Sequence, residues 1–238
     1  MKTPDIVGLI LERTEQEIQD EWRPARIPGS YRGSELGDCT RALQYANLGY
    51  KPESIDPRLA LLFRDGHLHH EALRTELAKI GRLTNVEQPA WKRYVVEYNG
   101  ENIPIIITTT CDLHFDGTYV GELKGITTFS FKGLKSNDDV RSKYPHYVGQ
   151  LNTYLDVYGK KKGFLLFKDK NSSALRIFWF DFDQALLDET LQKLAKIEVM
   201  SAKKKLIKRP FKKSSWDCKS CQFRQKCWGK PRQEMVWR

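Results

Sequence analysis

Thr110-Cys111-Asp112-Leu113-His114-Phe115-Asp116-Gly117-Thr118-Tyr119-Val120-Gly121-Glu122-Leu123-Lys124 is the stretch on which the reading of this chain turns. Apolar-rich flanks bracket Asp116-Gly117, a strong two-residue hairpin signal. Alternate side chains of a strand share a face, so Glu122 and Lys124 are expected to point the same way. The turn brings Asp112 back beside that pair and sets two carboxylates and an ammonium at one end of a sheet. Carboxylates are the hard oxygen ligands that Mg²⁺ or Mn²⁺ accepts. A lysine beside such an ion can orient a water and neutralise a phosphate, the equipment for metal-assisted phosphodiester hydrolysis. Alone, Glu-x-Lys is more often a solvated cross-strand charge pair.

Three further features bear on that choice. Gly66-His67-Leu68-His69-His70-Glu71 lies in a segment from Pro57 to Ile80 that reads as a helix. Pro57 suits its first turn, and Leu61, Leu62, Leu68, Leu73 and Leu77 keep a rough helical spacing. Neutral imidazole is a good ligand for a divalent metal, although three clustered histidines also suit a polar surface. Farther on, Gln150 and Tyr154 stand at i and i+4 of a helix expected from about Lys143 to Tyr158, with Tyr147 and Tyr158 continuing the stripe. An amide and a phenol on one face suit contacts to a nucleic-acid strand, or equally a helix that buries its tyrosines.

The cysteines are the third feature. Cys218-x₂-Cys221-x₅-Cys227 lies near the C-terminus and Cys39 far away in Gly37-Asp38-Cys39-Thr40-Arg41. The sequence shows no secretory leader pattern and no apolar run of membrane-spanning length, so a cytoplasmic protein without a membrane partner is expected. In a reducing compartment clustered cysteines are more often metal ligands than disulfides. Four thiolates suit structural zinc or an iron–sulfur cluster. Zinc sites usually combine two tight pairs, and Cys39 has no near partner in sequence, which favours a [4Fe–4S] cluster. Cys111 is left over as a buried structural thiol.

In this order, Cys39, Gly66-x₃-His70, Asp112, Glu122-Leu-Lys124, Gln150-x₃-Tyr154 and the Cys218/Cys221/Cys227 triplet resemble the RecB-like branch of the PD-(D/E)xK nucleases. More narrowly, the chain is similar to the stand-alone iron–sulfur exonucleases of CRISPR-associated and phage origin. The resemblance spans about residues 39 to 227. It implies that His70, Asp112, Glu122 and the Leu123 carbonyl bind Mg²⁺ or Mn²⁺, and that Lys124 assists catalysis with Asp112 and Glu122. It further implies that Gln150 and Tyr154 help hold DNA and that Cys39, Cys218, Cys221 and Cys227 ligate a [4Fe–4S] cluster. Two positions depart from the family. Cys111 replaces the Pro of the superfamily's name, and Thr40-Arg41-Ala42 follows the first cysteine where Pro-Arg-Lys is usual.

The 238 residues can bury one sizeable core, and no long flexible linker or internal repeat interrupts them. A single nuclease domain over 1–238 is expected, with a core at about 57–200 and cluster-binding segments at about 37–48 and 210–230. The formal charge is +10, but residues 196–238 hold 14 Lys and Arg against 3 Asp and Glu. A solvated basic tail is the usual meaning of such a run. Here Phe211, Trp216, Phe223 and Trp228 are interleaved, so a folded surface that binds phosphates through Lys203, Lys204, Lys205, Lys212 and Lys213 is favoured.

Periodicity predicts a helix over about Asp5–Glu21, a Pro/Gly/Ser-containing loop to Cys39, a short helix to about Leu48 and the long His70 helix. Strands follow near Val86–Tyr98, Pro104–Phe115 and Tyr119–Ile126, then a polar loop from Gly133 to Ser142 and the Gln150 helix. Strands at Gly163–Lys168 and Leu175–Phe182 precede a last helix with Leu186, Leu187, Leu191, Leu194 and Ile197 on one stripe. The class expected is α/β, a central mixed sheet flanked by helices in a restriction-endonuclease-like core. The function expected is a metal-dependent DNA exonuclease acting on single strands or ends. The rivals are an endonuclease or a processing subunit of a larger DNA-processing assembly, and an inactive zinc-stabilised DNA-binding module.

Overall fold

The computed structural model describes residues 5–20, 27, 29–54 and 56–229. Glu21, part of the loop expected before Cys39, and residues 230–238 of the basic stretch lie outside the described residues. In chain order the elements are α1 (Ile6–Asp20), β1 (Ser30–Arg32), α2 (Thr40–Asn47), α3 (Pro57–Lys79), β2 (Leu83–Val86), β3 (Pro89–Tyr98), β4 (Glu101–Thr110), β5 (Leu113–Phe115), β6 (Tyr119–Ile126), α4 (Thr128–Lys132), α5 (Asn137–Lys143), α6 (Pro145–Val157), β7 (Lys162–Asp169), β8 (Leu175–Asp181), α7 (Gln184–Ala202), α8 (Trp216–Lys219) and α9 (Arg224–Trp228). Among the described residues no helix is long and apolar enough to cross a membrane.

The strands form two sheets rather than the single central sheet expected. One has the order β1-β4-β3, the other β2-β5-β6-β7-β8. Both are mixed, since β1–β4 and β6–β7 are parallel and the other pairs antiparallel. The expected strand Pro104–Phe115 divides because β4 stays paired to β3 as far as Thr110 opposite Pro89, whereas Leu113 pairs with Gly121 of β6. Cys111 and Asp112 lie in neither ladder. The expected strand Val86–Tyr98 likewise divides at Glu87, whose φ of +48° no ordinary strand accommodates.

The Asp116-Gly117 turn has both residues at positive φ, 52° and 64°, as a type I′ hairpin requires. Helix α3 starts on Asp56, whose carboxylate accepts from the Arg58 amide at 2.8 Å, with Pro57 in the first turn. The polar loop expected over 133–142 is in part helix α5. Ser136 and Asp139 close a capping box there, and the single buried side chain, Val140, is too little for a periodic signal.

Alternation sorts the core into layers. Leu165 and Phe167 of β7 pack with Leu151, Tyr154 and Leu155 of α6. Phe164 and Leu166, on the other face, pack with Leu123 and with Leu73 of α3. Helices α6 and α3 therefore cover opposite faces of the five-stranded sheet. The three-stranded sheet packs Ile105 and Ile107 against Leu194 and Ile197 of α7 and Leu43 of α2.

Candidate active site and cysteine pocket

Strand β6 pairs with β5 only as far as Gly121, while its pairing with β7 continues to Ile126. From Glu122 onward one edge of β6 is therefore open, and Asp112 fills it. The Asp112 carboxylate accepts the Leu123 amide hydrogen bond at 2.7 Å. On the α3 side, His70 Nδ1 lies 3.2 Å from Asp112 Oδ1. On the α6 side, Glu122 Oε1 accepts from Lys124 Nζ at 2.6 Å and from Gln150 Nε2 at 2.7 Å. Gln150 Nε2 also lies 2.7 Å from the Tyr154 hydroxyl. The residues drawn from α3, β6 and α6 thus converge on the gap between the two sheets. Just before the site, Gly121 leaves room for its neighbour across the sheet, because a Cβ there would sit 2.4 Å from the Phe164 ring.

Gln150 and Tyr154 are both buried, at 6% and 2% exposure, with Gln150 bonded to Glu122 and Tyr154 bonded to Gln150. Tyr147, on the same helix, lies under the Lys124 ammonium at 4.6 Å from ring centroid to Nζ. Arg74, one helical turn beyond His70, bonds Glu71 and Glu87 and lies close enough to Asp112 to be stabilised by it. Its i+4 spacing from His70 was the available sequence signal.

The charges in this gap are not equivalent. Burial raises the Glu122 carboxyl to about 7, in spite of the attraction of Lys124. Burial acts in the same sense on Asp112, but the hydrogen bond and charge of His70 and the Leu123 amide outweigh it and leave that carboxyl lowered. Lys124 is raised, since the attraction of Glu122 exceeds the cost of burial, and it stays charged.

A pH dependence follows for the protein free of divalent ions. Glu122 is raised in the fold from an ordinary value near 4.5, so its stabilising contribution is full below about 4.5 and is lost as pH rises through about 7. Thermal melts between pH 5 and 7.5 should therefore fall more steeply for the native chain than for Glu122→Gln, which stays neutral. Parallel profiles would contradict the raised carboxyl.

The donor set fits a divalent ion. Glu122 Oε2 is buried with no hydrogen-bond partner, beside the lowered Asp112 carboxylate and the His70 ring. A buried carboxylate oxygen left bare is costly, and a cation would satisfy it. Among the described residues no three His, Cys, Asp or Glu side chains already close into a cage around one ion.

The four cysteines expected to act together meet elsewhere. Cys39, at the start of α2, and Cys218, Cys221 and Cys227 are free thiols that line one pocket with Tyr45 and Phe223. The two chain ends are sewn together around it. Gln44 donates to the Lys205 carbonyl and accepts from the Ile207 amide, both at 2.8 Å, and Arg41 donates to the Ile207 carbonyl. The Glu53 amide donates to the Gln222 carbonyl and its carboxylate accepts from the Gln225 amide. Burial pushes Cys221 up to about 11 and raises Cys39, so bare thiolates are disfavoured there. Cys111 is fully buried in the core and pushed up to about 12 by that burial, apart from the other four. Of the basic residues, Lys203, Lys204, Lys205 and Lys212 are exposed and Lys213 is half-buried over the Trp228 ring.

No family model and no curated protein matches the sequence. In three dimensions the chain is similar to the protein SSO0001, with a TM-score of 0.54 and 19% identity over 92% of this chain and 95% of that one. It is also similar to a phage-related exonuclease from Haemophilus somnus 129PT, with a TM-score of 0.50 and 11% identity over 73% of this chain and 94% of that one. At these identities what is shared is architecture: the chain has the mixed α/β fold of these two proteins.

Proposed function

We propose that this protein is a metal-dependent deoxyribonuclease that works as an exonuclease on DNA ends or single strands, stabilised by a [4Fe–4S] cluster. The observation that carries the reading is the bare, buried Glu122 Oε2 beside Asp112 and His70, with charged Lys124 2.6 Å from the other Glu122 oxygen. The exonuclease of shared fold supports it. His70, Asp112, Glu122 and the Leu123 carbonyl would hold one Mg²⁺ or Mn²⁺. Such an ion, when bound, polarises a phosphoryl oxygen and makes a water nucleophilic near neutral pH.

The chain's own groups do the rest. Gln150 fixes the Glu122 rotamer by donating to its Oε1 at 2.7 Å, and is itself held by donating to the Tyr154 hydroxyl at 2.7 Å. Asp112 is tied to the strand through the Leu123 amide, so both carboxylates are set before substrate arrives. Lys124 is pinned between Glu122 and the Tyr147 ring, and its charge offsets negative charge growing on the phosphate. The burial of these groups strengthens each interaction relative to water.

Cys39, Cys218, Cys221 and Cys227, which line one pocket, would hold the cluster through their thiolates. Burial disfavours uncompensated thiolates at Cys39 and Cys221, so a bound centre must displace their protons.

The decisive assay offers end-labelled linear DNA and circular single-stranded DNA with Mg²⁺ or Mn²⁺. An exonuclease shortens the first and spares the second. Cutting of the circle would make the enzyme an endonuclease, and loss of neither would remove the nuclease reading.

The basic C-terminal surface is expected to supply affinity without sequence preference. Neutralising Lys203, Lys204 and Lys205, or Lys212 and Lys213, should weaken binding to all sequences alike. Each lost phosphate contact should flatten the plot of log affinity against log salt by roughly 0.7 to 0.9. An unchanged slope in both variants would mean that these charges only face solvent.

A further inference from the structure

The cysteine pocket holds one group that the cysteines alone do not explain. Arg224, the first residue of α9, stands three positions after Cys221 and three before Cys227. It lines the pocket together with Cys39, Cys218, Cys221 and Cys227. Its exposure is only 4%, and arginine is almost never buried so far without a partner for its charge. Among the described residues Arg224 forms no ion pair, although the exposed Asp217 lines the same pocket.

One nitrogen of the guanidinium is accounted for. Nη1 donates to the Cys218 carbonyl at 3.0 Å and so ties α9 to α8. Nε is buried with no hydrogen-bond partner. A tie between two short helices needs Nη1 alone and would leave the desolvation of the Nε–H group uncompensated. The sulfurs nearby already receive N–H groups, since the Phe223 amide, directly before Arg224, donates to Cys221 Sγ at 3.4 Å. As neutral thiols the four cysteines give the buried guanidinium nothing to balance it. As thiolates on a metal centre they do, because four such ligands outweigh the positive charge of an iron–sulfur core. The pocket lacks an anion, and Arg224 lacks an acceptor.

We infer that Arg224 donates its Nε–H to a sulfur of the centre held by Cys39, Cys218, Cys221 and Cys227, and that its charge makes that centre easier to reduce. The inference rests on the proposed cluster and goes beyond it, since a cluster that only joins two chain segments needs no such donor. Reduction by an external one-electron donor adds one electron to the iron and breaks no bond. The centre, already negative, becomes more so, and a fixed guanidinium beside it stabilises the reduced form more than the oxidised one. Arg41 lines the same pocket, but its Nε is engaged by the Tyr45 hydroxyl at 3.3 Å and its Nη1 by the Ile207 carbonyl at 2.8 Å.

The test uses the full-length protein purified without oxygen and reads the centre rather than cleavage. Protein labelled with ¹⁵N at the guanidino nitrogens of arginine is reduced with dithionite and studied by pulsed electron–nuclear double resonance. A ¹⁵N coupling to the cluster spin is expected, unchanged in Arg41→Gln and lost in Arg224→Met, which keeps an unbranched side chain without charge or donor. Reduction of Arg224→Met should be about tenfold less favourable, a midpoint lower by about 59 mV for one electron. Arg224→Lys, which keeps the charge, should fall between the two. Iron per chain, measured on every variant, shows whether the centre is intact. No coupling in the native protein, or equal midpoints for native and Arg224→Met, overturns the role of Arg224 and leaves the cluster standing. If Arg224→Met takes up no iron, the coupling in the native protein decides alone. A colourless, iron-free native protein removes the cluster and this inference with it.

Discussion

Asp112→Ala and Glu122→Ala should each abolish DNA cleavage while leaving DNA affinity nearly intact. The expected loss in kcat is on the order of 10²–10³ or more, the scale for removing one preorganised partner of a transition state. Affinity survives because the carboxylates repel phosphate, and the exposed lysines of the C-terminal region carry the proposed backbone contacts. Lys124→Ala should be equally inactive yet keep the donor set of His70, Asp112 and Glu122, so its ion affinity should be retained when measured by calorimetry. His70→Ala should lose ion affinity, whereas His67→Ala should not, since only His70 reaches Asp112, at 3.2 Å.

Gln150→Ala separates a positioning role from a contact with substrate. Its amide is bonded to Glu122 and Tyr154 and is 6% exposed, so the variant should lower kcat with little change in KM. A rise in KM alone would mean that Gln150 touches DNA after all. Full cleavage by Asp112→Ala, Glu122→Ala or Lys124→Ala with saturating Mg²⁺ or Mn²⁺ would refute the site.

Local patterns announced this site better than they announced the sheets that frame it. Asp116-Gly117 set the hairpin, and period-two alternation put Glu122 and Lys124 on one face, because both rest on short-range geometry. Which side of the sheet His70 would approach was not legible, since α3 finds its place through Leu73 packing on Leu123 and Phe164 across the chain. The change of sheet at Cys111-Asp112 was invisible for a similar reason. Alternation continues through Ile105, Ile107 and Leu113, and only the partners of those strands differ. Gln150 and Tyr154 were placed correctly on one helix face, but their burial depends on how α6 meets β6. A stripe at i and i+4 carries no information on that depth.

The cysteines carry the second large expectation. Protein purified without oxygen should be brown and hold about four irons per chain, and Ser in place of Cys39, Cys218, Cys221 or Cys227 should bleach it. The cluster would join Cys39 to Cys218 across 179 positions of chain, a long closure whose loss is worth roughly 5 kcal/mol by analogy with a cross-link of that span. That is a large share of a domain's stability, roughly 5–15 kcal/mol in all. The hydrogen bonds of Gln44, Arg41 and Glu53 also tie the two ends, yet each contributes only about 1 kcal/mol net. They slow the loss of the segment rather than replace the cluster. Bleached variants should therefore melt at lower temperature and be cut by protease first around α8 and α9, before β6 is exposed. Cys111→Ser should keep its colour, because that thiol is sealed in the core with its Sγ 3.7 Å from the Leu113 carbonyl. Stoichiometric zinc in a colourless native protein would overturn the cluster. A bleached Cys111→Ser, with Cys218→Ser still brown, would overturn the choice of ligands while leaving the iron in place.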